Sequence, residues 1–237
     1  MTLTPDSVVY WQAGPVKVNA TLVFSWVVMA LLVLGSWLVT RRLTTGTKLS
    51  RGQNLLEVLV GGIREQIREV TMQDPARYLP FVGTLFLYIA VSNVLAAVPG
   101  FQPPTGSLST TAALALCVFV AVPVFGVAER GVAGYLRNYV RPNVFMLPFN
   151  VIGELSRTLA LAIRLFGNVM SGTMIAAMLL AVAPFVFPVL LQALGLLTGL
   201  IQAYIFAVLA LVDIAAATRA DQGPPEPANG KGEASHG

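Results

Sequence analysis

The chain has 237 residues, of which 56% are hydrophobic and 11% charged, with a net charge of +4. That balance excludes a water-soluble globular fold and describes a multi-spanning membrane protein whose main solvent is lipid. A single cysteine, Cys117, and a single histidine, His236, exclude a disulfide framework and a Cys/His metal set.

In chain order, residues 1–18 form a short tail without the basic start of a cleaved leader. Residues 19–40 form a first span, long enough at ~1.5 Å per residue to cross a ~30 Å core, with Trp26 and Trp37 towards its ends. Arg41, Arg42, Lys48 and Arg51 follow and hold that end in the cytoplasm, which leaves the N-terminus outside. Over residues 50–73, Leu56, Leu59, Val60, Ile63, Ile67 and Val70 recur at helical spacing, with Glu57, Arg64, Glu65, Arg68 and Glu69 on the other faces. That pattern predicts an amphipathic helix lying in the interface, its charges solvated.

A second span covers 78–98, where Ser92 and Asn93 suit hydrogen bonds between helices. The uncharged loop that follows suits the outside, and a third span covers 111–128. Cys117 falls within it and reads as a buried small residue. Arg130, Arg137 and Arg141 then mark the cytoplasm. Residues 147–183 would measure about 55 Å as one helix, too long for a perpendicular crossing, so this fourth span is tilted or bent. An uncharged turn around Pro184 to Pro188, a fifth span over 189–218 and a disordered Pro/Gly-rich tail over 219–237 complete the chain. The fold class is therefore an all-α membrane protein, with about five transmembrane helices, one interfacial helix and a long tilted pair at the C-terminal end. Its N-terminus is outside and its C-terminus cytoplasmic.

Two arginines inside the fourth span carry the functional signal, because an arginine at the centre of a bilayer helix costs roughly 2.5–3.5 kcal/mol on insertion scales. On a helix Arg157, Ala160, Leu161, Arg164, Asn168 and Ser171 fall on one stripe of cationic and small side chains. Small residues let another helix approach. Arginine keeps its charge when buried, so such a stripe offers a fixed positive charge to a partner whose carboxylate must ionise. Gln202 and Asp213 share a face of the last span, eleven residues apart. An antiparallel register that levels Arg164 with Gln202 also levels Glu154 with Asp213, one turn from Arg157. Arg157 then has acidic company and Arg164 none. The cluster of Glu154, Arg157 and Asp213 is a polar group on the cytoplasmic side, either a structural anchor or a polar mouth.

The segment RLFGN at Arg164–Asn168, with Ser-Arg eight residues upstream and GLIQAYIFAVLA at Gly199–Ala210, resembles subunit a of the F-type rotary ATP synthases. LPFVGTLFLYIAVSNVLAAVPGF, PPTGSLSTT and LPFNVIGELSR agree with that family too, over roughly Leu79 to Ala217. The resemblance implies a stator in a bacterial inner membrane that is not catalytic alone and has no cofactor or metal. Its partners would be a ring of c subunits, a b-type peripheral stalk and, indirectly, the soluble ATPase head, with no nucleic acid. Arg164 would face the ring carboxylate between two aqueous half-channels, with Asn168 and Gln202 at the family's Asn and Gln positions. This chain has Ser107 and Thr173 where relatives often carry Asp and Glu, and Gly195 where some carry an acid or histidine. With Ser171, these leave the outside half-channel hydroxyls and no titratable group. The pattern resembles an alternative branch, some of whose members use sodium, so the coupling ion is H⁺ or Na⁺. The competing reading is a secondary ion or solute transporter.

Overall fold

A computed structural model describes residues 9–13, 16–41, 51–98, 100–140, 146–182 and 187–219. The expected C-terminal tail, most of the turn around Pro184, and Arg42, Lys48 and Arg141 lie outside the described residues. Residues read from the sequence as part of a tail form an antiparallel hairpin of β1 (Val9–Ala13) and β2 (Val16–Asn19), with Gln12 opposite Lys17. The rest is helical: α1 (Ala20–Thr40), α2 (Arg51–Thr71), α3 (Leu79–Leu95), α4 (Leu108–Val140), α5 (Met146–Val182) and α6 (Phe187–Arg219). Four helices are long and apolar enough to span a membrane, over Ala20–Thr40, Leu108–Glu129, Pro148–Leu179 and Leu190–Thr218. The 17-residue α3 is a shorter apolar helix.

The core is built around α6. Its inward residues Ala203, Phe206, Ala207, Ala210, Leu211 and Ile214 follow steps of three and four, so they form one buried stripe. Against that stripe pack Val82, Leu85 and Ile89 of α3, Ala115, Val118 and Val122 of α4, and Leu161, Ala162 and Leu165 of α5. Three alanines on the α6 stripe let neighbouring helices come close, where dispersion rather than hydrophobic transfer holds helices together in lipid.

The amphipathic α2 turns Ile63, Ile67 and Val70 towards this core, and Tyr204 of α6 donates a 2.7 Å hydrogen bond to Gln66 Oε1. After α2, Asp74 caps a 3₁₀ turn by accepting from the Ala76 N–H. Buried Tyr78 then stacks near Phe125 of α4, and Arg77 pairs with Glu129. This ties the start of α3 to the same end of α4. By contrast α1 is peripheral. It is held by Tyr88 donating to Ser25 at 3.1 Å and by an edge-to-face contact of Phe24 with Phe101, while Trp26, Val33 and Leu38 are uncovered by protein.

The third span was expected to end at 128, but helical structure continues to Val140 across a break at Gly131. Gly131 has φ 73° and ψ 162°, a backbone that only glycine adopts without strain. The break turns the chain back, so that the Tyr135 ring lies against Gly126. Cys117, expected to be buried, is exposed on α4. Lipid accepts a small apolar side chain as readily as a protein core does, so hydropathy alone did not distinguish the two.

Candidate functional site

Two polar contacts mark the register of α5 against α6. Asn168 Nδ2 donates to Gln202 Oε1 at 3.4 Å, and Arg157 Nη1 lies 3.6 Å from Asp213 Oδ1. Each pair member is eleven residues from its fellow on the same helix, so both contacts describe one antiparallel alignment. It differs by a turn from the register that levels Arg164 with Gln202: Asn168, four residues on, takes that place. The physical reason is packing. Leu161 and Leu165 of α5 fit the alanine-lined stripe of α6 around Phe206, and the two carboxamides meet where that fit leaves them.

The same packing divides the expected arginine stripe. Leu161, at 4% exposure, belongs to the core, and Asn168 is half-buried at the helix junction. Arg157, Ala160, Arg164 and Ser171 remain on the outer surface of α5. Arg164 therefore projects from the side of the helical pack, and among the described residues no carboxylate lies within ion-pair distance of it. Ala160 and Gly167, each one turn or less away and both exposed, leave the surface beside it low.

Two clefts lie on opposite sides of Arg164 along the α5/α6 pair. The charged cleft, about 280 Å³, is lined by Asn150, Glu154, Arg157, Thr158 and Asp213 together with apolar residues of α4. The neutral cleft, about 510 Å³, is lined by Asn93, Asn168, Ser171, Thr173, Gln192 and Thr198 among apolar and glycine residues, Gly195 included. Among the described residues no ionisable side chain lines it. Arg164 lines neither. Between the clefts, Leu161, Leu165, Ala203 and Phe206 are at most 4% exposed and belong to one apolar cluster, with the buried Gln202 beside them.

The hydroxyls of the neutral cleft are anchored on their own helix. Ser171 donates to the Asn168 carbonyl at 3.2 Å and Thr173 to the Met170 carbonyl at 2.8 Å, which leaves their oxygen lone pairs facing outward as acceptors. Ser107, assigned to the same half-channel from the sequence, is fully buried with its Oγ 2.7 Å from Ser109 Oγ, and it does not line the cleft. Gln202 is 4% exposed, and its Nε2 has no hydrogen-bond partner among the described residues. Sequence reasoning passed over Gln192, Thr198, Asn150 and Thr158. The signal for Gln192 was present, since a carboxamide inside an apolar span is itself costly and asks for a partner. Gln192 finds one by donating to the Ala96 carbonyl at 3.2 Å.

An all-α membrane protein with an arginine on its flank that has no carboxylate partner among the described residues, set between two clefts, is the class of molecule this geometry defines. The model of the ATP synthase A chain family matches residues 22–214. Curated relatives agree over nearly their whole length. The protein called ATP synthase subunit a 2 of Acaryochloris marina is 64% identical over 222 residues, 94% of this chain and 95% of the relative. ATP synthase subunit a of Albidiferax ferrireducens is 60% identical over 227 residues, 96% and 98% of the two chains, and subunit a 1 of Chlorobaculum parvum is 61% identical over 219 residues, 92% and 97%. The chain belongs to the ATP synthase A chain family, the F-type subunit a, a membrane component of the complex that is not catalytic alone.

Proposed function

We propose that this chain is the ion-translocating stator of its ATP synthase, with the two clefts as half-channels and Arg164 as the fixed charge facing the carboxylate of a c-subunit ring. The observation that carries the reading is the placement of Arg164: exposed on the flank of α5, without a carboxylate partner among the described residues, between clefts that the core separates. An ion entering one cleft can reach the other only by leaving the subunit sideways. A ring carried past that flank supplies the route.

The chemistry follows from the guanidinium. A ring carboxylate must be neutralised by its ion to turn through lipid, because an unpaired charge there is costly. Opposite Arg164 the nearby positive charge favours the ionised form, so the ion is released as the carboxylate passes. Arginine does not give up its own proton, so it holds this role without becoming a relay. It also repels a cation that would pass directly between the clefts. The driving force is about 2.3 kcal/mol per charge for each 100 mV of membrane potential.

In this reading the N-terminus is outside and the C-terminus cytoplasmic in a bacterial plasma membrane, with five crossings counting α3. The neutral cleft is then the outer half-channel and the charged cleft the cytoplasmic one. The b-type peripheral stalk and the soluble head are the further partners, and the coupling ion is H⁺ or Na⁺. Family membership leaves the solute-transporter reading without an observation in its favour. The test is Arg164→Ala in the complex reconstituted into vesicles. Ion-driven ATP synthesis is expected to vanish while the complex still assembles, and normal coupling would overturn the reading.

A further inference from the structure

The neutral cleft has a wall that its lining alone does not explain. Asn93, near the end of α3, is 6% exposed and both ends of its carboxamide are engaged. Its Nδ2 donates to the Gly199 carbonyl of α6 at 2.8 Å, and its Oδ1 accepts from Thr105 Oγ1 of the 3₁₀ turn Pro104–Gly106 at 3.1 Å. The approach is close enough that a Cβ on Gly199 would come within 2.9 Å of Asn93 Cβ. A second bond runs in the opposite sense, from Gln192 of α6 to the carbonyl of Ala96, the residue that caps the end of α3. Two carboxamides, one on each helix, therefore grip the other helix's backbone and resist sliding of α6 along α3.

What such sliding would move is Gln202. It follows Gly199 by three residues on the buried side of α6, and it meets Asn168 only in the present register. Each residue of slip displaces a helix by about 1.5 Å, and a carboxamide contact already at 3.4 Å would not survive it.

We propose that Asn93 is a positioning residue for ion entry. Through Gly199 it holds α6 so that Gln202 meets Asn168 beside Arg164, and with Thr105 it fixes the wall of the neutral cleft. Both ends of the Asn93 carboxamide are held by other elements, Nδ2 by the Gly199 carbonyl and Oδ1 by Thr105, which is the arrangement of a group that positions its neighbours. The inference rests on the reading of this cleft as the outer half-channel.

The test uses the assembled ATP synthase in vesicles, with outer pH and outer Na⁺ varied in turn and assembly followed by copurification of the ring and head. Asn93→Ala and Gly199→Ala should each raise the outer ion concentration for half-maximal synthesis by about tenfold, since ångström-scale misplacement costs up to ~100-fold in positioned sites. Maximal rate and the response to the inner side should change little. Asn93→Asp decides the role. It removes the donor to Gly199, so a positioning residue loses as much as in Asn93→Ala, whereas an ion ligand would keep or tighten its ion. Tightening, an equal change on both sides, or no change overturns the proposal. If Asn93→Ala does not assemble, Thr105→Val, which removes one hydroxyl, should show the same one-sided shift at about threefold, and an unchanged shift there overturns it equally. Arg164→Ala in the same vesicles separates the two claims. Retained coupling in that variant defeats the stator reading, while lost coupling beside unaltered Asn93 variants defeats only the positioning role.

Discussion

The two clefts differ in the chemistry available to an ion within them. The charged one holds Glu154 and Asp213 around Arg157, so protons can be exchanged with side chains, and an arriving cation meets two carboxylates and one competing guanidinium. The neutral one offers only hydroxyl and amide oxygens, so an ion there is solvated but never chemically held. Under the proposed function, a path whose described titratable groups lie on one side of Arg164 would be asymmetric in its pH response, whichever way a ring turned. With the clefts as the proposed half-channels, the asymmetry would assign capture and release to the charged side and passive access to the other.

The largest effect expected from breaking this contrast is on the charged side. Asp213→Asn together with Glu154→Gln should depress ion-coupled synthesis at least tenfold and more than the product of the single variants, because either carboxylate can serve the cleft when the other is absent. Synthesis rates measured against pH on each side of the vesicle check this, and a silent double variant would make the cluster a structural anchor. Next comes the seal. Phe206→Ala should cost about 3–5 kcal/mol in stability, read as a lower unfolding midpoint in detergent, and should admit a passive ion leak between the clefts. A tight membrane in that variant would mean that the clefts are separated elsewhere.

A smaller effect is expected from the coupling ion. If Na⁺ is used, ATP hydrolysis by the intact complex should rise with Na⁺ at neutral pH, and sodium-independent pumping would leave H⁺. The smallest is Arg77→Ala. Arg77 and Glu129 are 42% and 37% exposed, and exposed pairs contribute at most about 1 kcal/mol. Stability and coupling should therefore be nearly unchanged in the same assays.

Much of this site was legible because periodicity tells which residues share a helix face. Gln202 and Asp213 do lie towards α5, and Arg157 does lie beside an acid. Periodicity does not tell how far two helices slide, and the one-turn error in levelling Arg164 with Gln202 came from there. The slide is decided by how Phe206 and the alanines of α6 receive Leu161 and Leu165, which is a matter of side-chain volume in three dimensions. The same limit placed Leu161 on the arginine stripe, although it turns inward. Gly131 was unread because Glu129 and Arg130 announced the end of a span and drew attention from the helix beyond them. Asn93 was seen as a residue that would bond between helices, yet its partner is a backbone carbonyl, which no side-chain pattern can announce.

The brevity of α3 has an electrical consequence. Seventeen residues stand about 25 Å tall, against a hydrocarbon core of about 30 Å. A bilayer meeting so short a helix thins beside it. The neutral cleft is lined at the end of that helix by Asn93, Ala96 and Ala97. The same transmembrane voltage would then fall over a shorter distance, so the field would be steepest next to the proposed outer half-channel. A charge advancing a given distance there gains more electrical work than it would along the lipid-facing α1.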